Sequence, residues 1–218
     1  MTLNNKQVPK PLTDRHQLEV CEIFPSIQGE GPFLGQPCVF IRLAGCNMQC
    51  EFCDTEYSTF SIMSVVDVLK RVCQLTLSTN LVVITGGEPF RQDISELVDE
   101  LLSFGKRVQV ETNGTIYRAL PWEKELTIVC SPKAAPIEKR MLQRIQYYKF
   151  LVKMNLDGTP IVLGNEHFEG MIPKYCYLQP VDEQNKKTNK QNMKAAFELA
   201  IKTGANLGIQ MHKIYGVE

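Results

Sequence analysis

Apolar segments rich in β-branched and aromatic residues recur along the chain. They are VCEIF (20–24), CVFIRLA (38–44), LVVIT (81–85), RVQVE (107–111), TIVCS (127–131), YYKFLV (147–152), CYLQP (176–180) and NLGIQ (206–210). Several are continuous rather than alternating, which predicts strands covered on both faces. Between them helical spacing takes over. Val65, Val68, Leu69, Val72 and Leu75 mark one stripe, with Ser64 and Asp67 as its capping box. Ile94, Leu97, Val98, Leu101 and Leu102 mark a second behind Asp93, stopped by Gly105. Met193, Ala196, Phe197, Ala200 and Ile201 mark a third, closed by Gly204. All three stripes are expected to face the core. Strand–helix alternation predicts an α/β fold with right-handed βαβ units and a parallel sheet. In such sheets ligands bind at the carboxyl ends of strands.

The 218 residues suffice for one domain with a sizeable core. A formal net charge of zero leaves no footprint for nucleic acid or an anionic membrane, while a small anionic substrate stays open. No apolar run reaches the ~20 residues of a membrane helix. The opening MTLNNKQVPKPLTDRHQ has no apolar signal segment. Residues 1–16 are expected to form a flexible tail and 17–218 a single domain, in a cytoplasmic protein. DEQNKKTNKQ (182–191) reads as a mobile surface loop. Eight cysteines without export argue against a disulfide framework. Cys21, Cys38, Cys73, Cys130 and Cys176 stand singly among apolar residues and are expected to be small buried hydrophobes.

Cys46, Cys50 and Cys53 are different. They lie in C-x3-C-x2-C spacing on a loop behind the strand CVFIRLA, close enough to wrap one soft metal centre. Structural zinc wants four closed ligands. The next cysteine or histidine along the chain is Cys73, then His167. An iron–sulfur cube on three thiolates keeps one iron open, and that iron can chelate the amino and carboxylate groups of S-adenosylmethionine (SAM). The spacing resembles the signature of the radical SAM superfamily. The strand LVVIT runs into Gly86-Gly87-Glu88-Pro89, which resembles the superfamily's segment for the SAM amino group. Two glycines allow close backbone approach, and Glu88 can bind an ammonium. Glu111-Thr112-Asn113-Gly114 and Ser131-Pro132-Lys133 follow the next two strands, where the superfamily holds the ribose and carboxylate of SAM.

Further residues narrow the resemblance. Ser26-Ile27-Gln28-Gly29-Glu30-Gly31 precedes the cluster strand, Arg42 lies in it, Asp54-Thr55 follows the last cysteine, and Gln210-Met211-His212-Lys213 nears the end. Together, from about Val20 onward, they resemble the 7-carboxy-7-deazaguanine synthase family. That resemblance implies a partial (β/α) barrel of radical SAM type, since 218 residues are too few for a full eight-fold barrel. It implies conversion of 6-carboxy-5,6,7,8-tetrahydropterin to 7-carboxy-7-deazaguanine, on the route to queuosine and other 7-deazapurines. A deoxyadenosyl radical would abstract hydrogen from C6, the ring would contract, and ammonia would leave. The implied cofactors are a 4Fe–4S cluster, SAM and Mg²⁺; the implied partners are an electron donor such as flavodoxin or ferredoxin and a second copy of the chain.

The resemblance also implies roles. Phe52, Cys53, Asp54, Gly87, Glu88, Glu111, Ser131, Pro132, Lys133, Gln179, Pro180, Val181 and Asp182 would hold SAM. Ile27, Gln28, Gly29, Glu30, Thr85 and His212 would meet the pterin, with the Arg42 fork on its carboxylate and the terminal carboxylate of Glu218 on its aminopyrimidine edge. Thr55 would ligate Mg²⁺ through its hydroxyl, a hard donor. Taken singly, Arg42 reads as a surface arginine, His212 as a hydrogen-bonded histidine, and Glu30 and Asp54 as capping or turn residues. Two other functions remain open at this point. A glycyl-radical-enzyme activase shares the cysteine spacing but acts on a protein. A non-catalytic zinc or iron–sulfur module would be told apart by metal and sulfide content.

Overall fold

The computed structural model describes residues 14–53, 55–75, 79–121, 123–133, 135–168, 173 and 175–216. The chain divides into two compact units. The first holds residues up to 28, 36–112 and 116–128; the second holds 29–35, 113–115 and 129 onward.

In the first unit lie β1 (Gln17–Ile27), β2 (Pro37–Leu43), β3 (Ser61–Ser64), β4 (Leu81–Gly86) and β5 (Arg107–Thr112), with helices α1 (Val65–Leu75) and α2 (Ser95–Ser103). β2, β4 and β5 are parallel neighbours, with Arg42 opposite Thr85 and Val83 opposite Gln109. β1 runs antiparallel to β2 and β3. Alternation gives the sheet two unlike faces. Val39, Ile41, Leu43, Val82, Ile84, Val108 and Val110 are buried and apolar. The opposite parity carries Glu22, Phe24, Arg42, Thr85, Gln109 and Glu111. Val65, Val68, Leu69 and Val72 of α1 and Leu97, Val98 and Leu101 of α2 are buried, as their stripes predict. Ser64 Oγ accepts from Asp67 N at 3.1 Å, closing the expected cap.

β6 (Leu126–Cys130) begins in the first unit and ends in the second. The second unit then holds β7 (Tyr147–Met154), β8 (Pro160–Val162), β9 (Cys176–Pro180), β10 (Asn206–Leu207), α3 (Lys186–Thr203) and α4 (Met211–Tyr215). β6, β7, β9 and β10 pair in parallel, and β8 is antiparallel to β7. Its core gathers Phe150, Val152, Cys176, Leu178, Ala195, Ala196 and Ala200.

Several expectations are corrected here. On α3, Met193, Phe197 and Ile201 are exposed at 60%, 54% and 74%, and the buried face is Asn192, Ala195, Ala196 and Ala200. Small side chains let the helix sit close on the sheet, which turns the bulky stripe outward. Residues 186–191 are helix rather than loop, because Asn185 caps them by accepting from Lys187 N and Thr188 N. The strand expected over 206–210 stops at Leu207. Cys73 is exposed on α1 and Cys21 half-buried, while Cys38, Cys130 and Cys176 are buried as expected. Residues 1–13 of the expected tail lie outside the described residues.

Candidate active site

The cysteine loop leaves β2 and is held from beneath. Tyr57, 3% exposed, donates from its hydroxyl to Met48 O at 3.5 Å, and its carbonyl accepts from Gly45 N at 3.1 Å. Burial, then the nearby Cys46, Cys53 and Cys50, pushes the Tyr57 phenol up to about 12. Cys50 O accepts from Cys53 N at 3.1 Å, and Cys46 Sγ from Met48 N at 3.4 Å. Burial pushes the Cys46 thiol up to about 11, with Glu88, Cys50 and Cys53 adding to the rise. The three thiols therefore share one electrostatic neighbourhood, in which a cation would favour the thiolates. A cube takes its thiolates at separate corners, so three cysteines on one loop are a soft donor set that fits a 4Fe–4S cluster.

Gly86 and Gly87 sit against this loop. A Cβ on Gly86 would lie 2.0 Å from Leu43 O, and one on Gly87 2.1 Å from Gly45 O. The close approach expected toward a ligand is thus made to the cysteine loop's own backbone. Glu88 is fully buried; it accepts from Phe90 N at 3.0 Å and from the Thr112 hydroxyl at 2.8 Å. Phe52 and Thr55 are half-buried beside the cysteines, and Thr55 O accepts from Cys53 Sγ at 3.8 Å.

On the polar face of the sheet, Glu111 gathers three side chains. Oε1 accepts from Gln28 Nε2 at 3.1 Å and Gln109 Nε2 at 2.8 Å, and Oε2 from the Thr85 hydroxyl at 3.2 Å. Gln28 and Thr85, expected on the substrate, thus share a network with Glu111, expected on SAM. Gln109 had no signal in the sequence beyond its place in the strand. Arg42 pairs with Glu22 directly across the β1–β2 ladder and lies over the Phe24 ring at 5.7 Å. Ile27, half-buried, ends β1.

In the second unit Glu30 is the hub. Its carboxylate pairs with Lys149 and accepts from Gln179 Nε2 at 2.8 Å and Gln210 Nε2 at 2.9 Å. Burial favours the neutral acid, but Lys149 and the two amides prevail and lower the carboxyl to about 2. Lys149 and Gln210 are partners the sequence did not reveal. Ser131 donates to Lys149 O at 3.0 Å and accepts from Lys133 Nζ at 2.8 Å, beside the buried Pro132. Gly29 lies under α4: its carbonyl accepts from Met211 N at 3.0 Å, and a Cβ there would stand 2.3 Å from His212 Nδ1. Any other residue at 29 would displace His212. Pro180 is half-buried, and the buried Val181 donates to Val152 O at 2.9 Å. Asp182 binds Lys213 at 2.8 Å, which lowers its carboxyl to about 2. Asp54 and Glu218 lie outside the described residues.

Known proteins resemble this chain over most of its length. The pattern of the radical SAM superfamily matches residues 40–211. A 7-carboxy-7-deazaguanine synthase of Rickettsia prowazekii is 43% identical over 94% of this chain and 91% of that one. One of Rhodospirillum rubrum is 36% identical over 92% and 93%. A crystal structure of QueE from Escherichia coli matches with a TM-score of 0.72 at 25% identity, over 90% of this chain and 95% of that one. The likeness bears out the partial (β/α) barrel of mostly parallel strands expected from the sequence. Among the described residues no helix is long and apolar enough to cross a membrane.

Proposed function

This chain belongs to the 7-carboxy-7-deazaguanine synthase family of the radical SAM superfamily, and on that footing we propose that it converts 6-carboxy-5,6,7,8-tetrahydropterin to 7-carboxy-7-deazaguanine with loss of ammonia. Family membership brings a 4Fe–4S cluster and SAM, which when bound supply one-electron cleavage of the sulfonium and hydrogen-atom abstraction. Cys46, Cys50 and Cys53 hold the cluster. The family supports SAM-binding roles for Gly87, for Ser131–Lys133 and for Gln179–Asp182; Glu88, fully buried, holds the turn behind Gly87.

The observation that carries the reading is Glu111, which Gln28, Gln109 and Thr85 orient on the polar face of the first unit's sheet, whose strand β2 runs into the cysteine loop. A carboxylate so held suits the amino and ring N–H donors of an aminopyrimidine. We therefore assign Glu111 to the substrate rather than to SAM, alongside Ile27, Gln28, Gly29, Thr85, His212 and Glu218. Glu30, held by Lys149, Gln179 and Gln210, keeps its place among the substrate residues and also fixes the neighbouring Gly29. Anaerobic turnover of the carboxypterin with SAM and a reductant tests the proposal.

Arg42 takes the substrate carboxylate, which then competes with Glu22 for the guanidinium. Arg42→Lys removes the planar fork, and losing a desolvated charge-assisted contact costs on the order of 2–4 kcal/mol. The Michaelis constant for the pterin is expected to rise correspondingly; an unchanged constant places Arg42 elsewhere. Thr55 provides the hydroxyl for Mg²⁺. Thr55→Ala is expected to keep SAM cleavage and lose Mg²⁺-stimulated product formation, because a methyl offers no oxygen to a hard cation. Equal activity of chelator-treated wild type with and without Mg²⁺ removes that site.

The family also supports a flavodoxin or ferredoxin as reductant, a cytoplasmic setting and a homodimer. The exposed Met193, Phe197 and Ile201 give a second copy an apolar surface to cover. A light-scattering mass of one chain would rule the dimer out.

A further inference from the structure

Residues 86–92 do more than end β4. The carbonyls of Leu43, Ala44 and Gly45, the three residues ahead of Cys46, each accept a hydrogen bond from this segment. The donors are Gly87 N at 3.2 Å, Gln92 Nε2 at 3.4 Å and Glu88 N at 2.9 Å. Gln92 also accepts from Glu19 N at 2.8 Å and donates to Glu19 O at 3.0 Å, while Ala44 N donates to that same carbonyl at 2.9 Å. The side chain therefore stitches β1 to the first residue beyond β2. At 2% exposure its amide has no water to fall back on.

The turn that carries Gln92 is itself immobilised. Glu88 caps it at Phe90 N and takes the Thr112 hydroxyl. Arg118 donates to Phe90 O at 2.8 Å and Arg91 O at 3.2 Å. Anchored in this way, Gln92 transmits a fixed geometry to the backbone it holds.

We propose that Gln92 is a positioning residue for the iron–sulfur cluster, strapping the backbone before Cys46 so that the cysteine loop leaves the sheet in a ligand-ready conformation. The inference rests on reading Cys46, Cys50 and Cys53 as the cluster ligands. Gln92→Met keeps the length and flexibility of the side chain but removes its hydrogen bonds. Ser64→Ala, which uncaps α1 in the same unit, is the control for general loss of stability.

The three reconstituted holoproteins are compared by iron and sulfide content, by Tm, and by cluster loss to an iron chelator. Gln92→Met is expected to lose its cluster about tenfold faster than wild type, the scale set by deleting buried amide hydrogen bonds. Ser64→Ala is expected to lower Tm yet keep the wild-type cluster lifetime. Equal lifetimes in wild type and Gln92→Met overturn the proposal, and so does equal shortening in Ser64→Ala. A wild type that binds no iron and sulfide overturns the ligand reading, and the inference with it. Should Gln92→Met fail to fold, amide exchange of the wild-type holoprotein decides. The Glu19 amide, which donates to Gln92 Oε1, and the Ala44 amide on the same Glu19 carbonyl are expected to exchange as slowly as those of β4, and exchange at exposed-loop rates contradicts the strap.

Discussion

Cys50→Ala will fold, yet take up no 4Fe–4S cluster and cleave no SAM. The three thiols lie on a half-buried loop that Tyr57, Gly45 and the residues behind Gly87 hold through backbone and phenol hydrogen bonds. Deleting one sulfur therefore opens little core volume, and the thermal midpoint of the metal-free chain should move little. The cluster is another matter. With two thiolates left, one iron loses its protein ligand, and no further cysteine follows Cys53 in the sequence before Cys73, which lies exposed on α1. The expected readout is loss of the brown absorbance together with 5′-deoxyadenosine formation. A variant retaining four irons and normal SAM cleavage would falsify the ligand assignment.

The second large effect concerns stability. Glu30→Gln leaves the Lys149 ammonium without its counter-charge at a position where both side chains are only 11–12% exposed. Breaking one partner of a buried pair costs roughly 3–5 kcal/mol, a fall in Tm of on the order of 10 °C for a chain of this size. The pH dependence has a definite sign. The folded carboxyl lies at about 2, below its ordinary 4.5. Its contribution is therefore complete above the unfolded value and drains away as pH falls from about 4.5 toward 2. Wild type should lose stability through that window, and Glu30→Gln should show a flatter acid limb. Adding Lys149→Met to Glu30→Gln should recover part of the loss, because no lone charge then remains buried. Identical acid limbs in wild type and variant would show that the pair contributes nothing.

The strands were legible because parallel strands buried on both faces write continuous apolar runs. The short β3 and β8 were not. SIMS and PIV become strands only by pairing with β1 and β7, a tertiary fact. NLGIQ reads as one strand, but Gly208 already presses on Gln179, and Gln210 turns toward Glu30. On α3 two stripes lie side by side. The expected stripe shares Ala196 and Ala200 with the buried face, but its bulky members Met193, Phe197 and Ile201 turn outward, and Asn192 and Ala195 take their place against the sheet. The capping of α3 by Asn185 was readable from local chemistry and was hidden by the polarity around it. In the site, the cysteine spacing and the paired glycines announce themselves because their neighbours lie nearby in the chain. Lys149 and Gln92 act across long sequence separations, where nothing local marks them, and Gln210 stood out only as part of a motif, without its partner Glu30. Gly29 carries a family signature in the sequence, but only the position of His212 supplies its physical reason.

Anaerobic incubation of the reconstituted wild-type enzyme with SAM, a reductant, Mg²⁺ and 6-carboxy-5,6,7,8-tetrahydropterin tests the central claim most directly. The account predicts a product with the mass and ultraviolet spectrum of 7-carboxy-7-deazaguanine, released with one ammonia per turnover and absent with Cys50→Ala. SAM cleavage that leaves the pterin unchanged would contradict it.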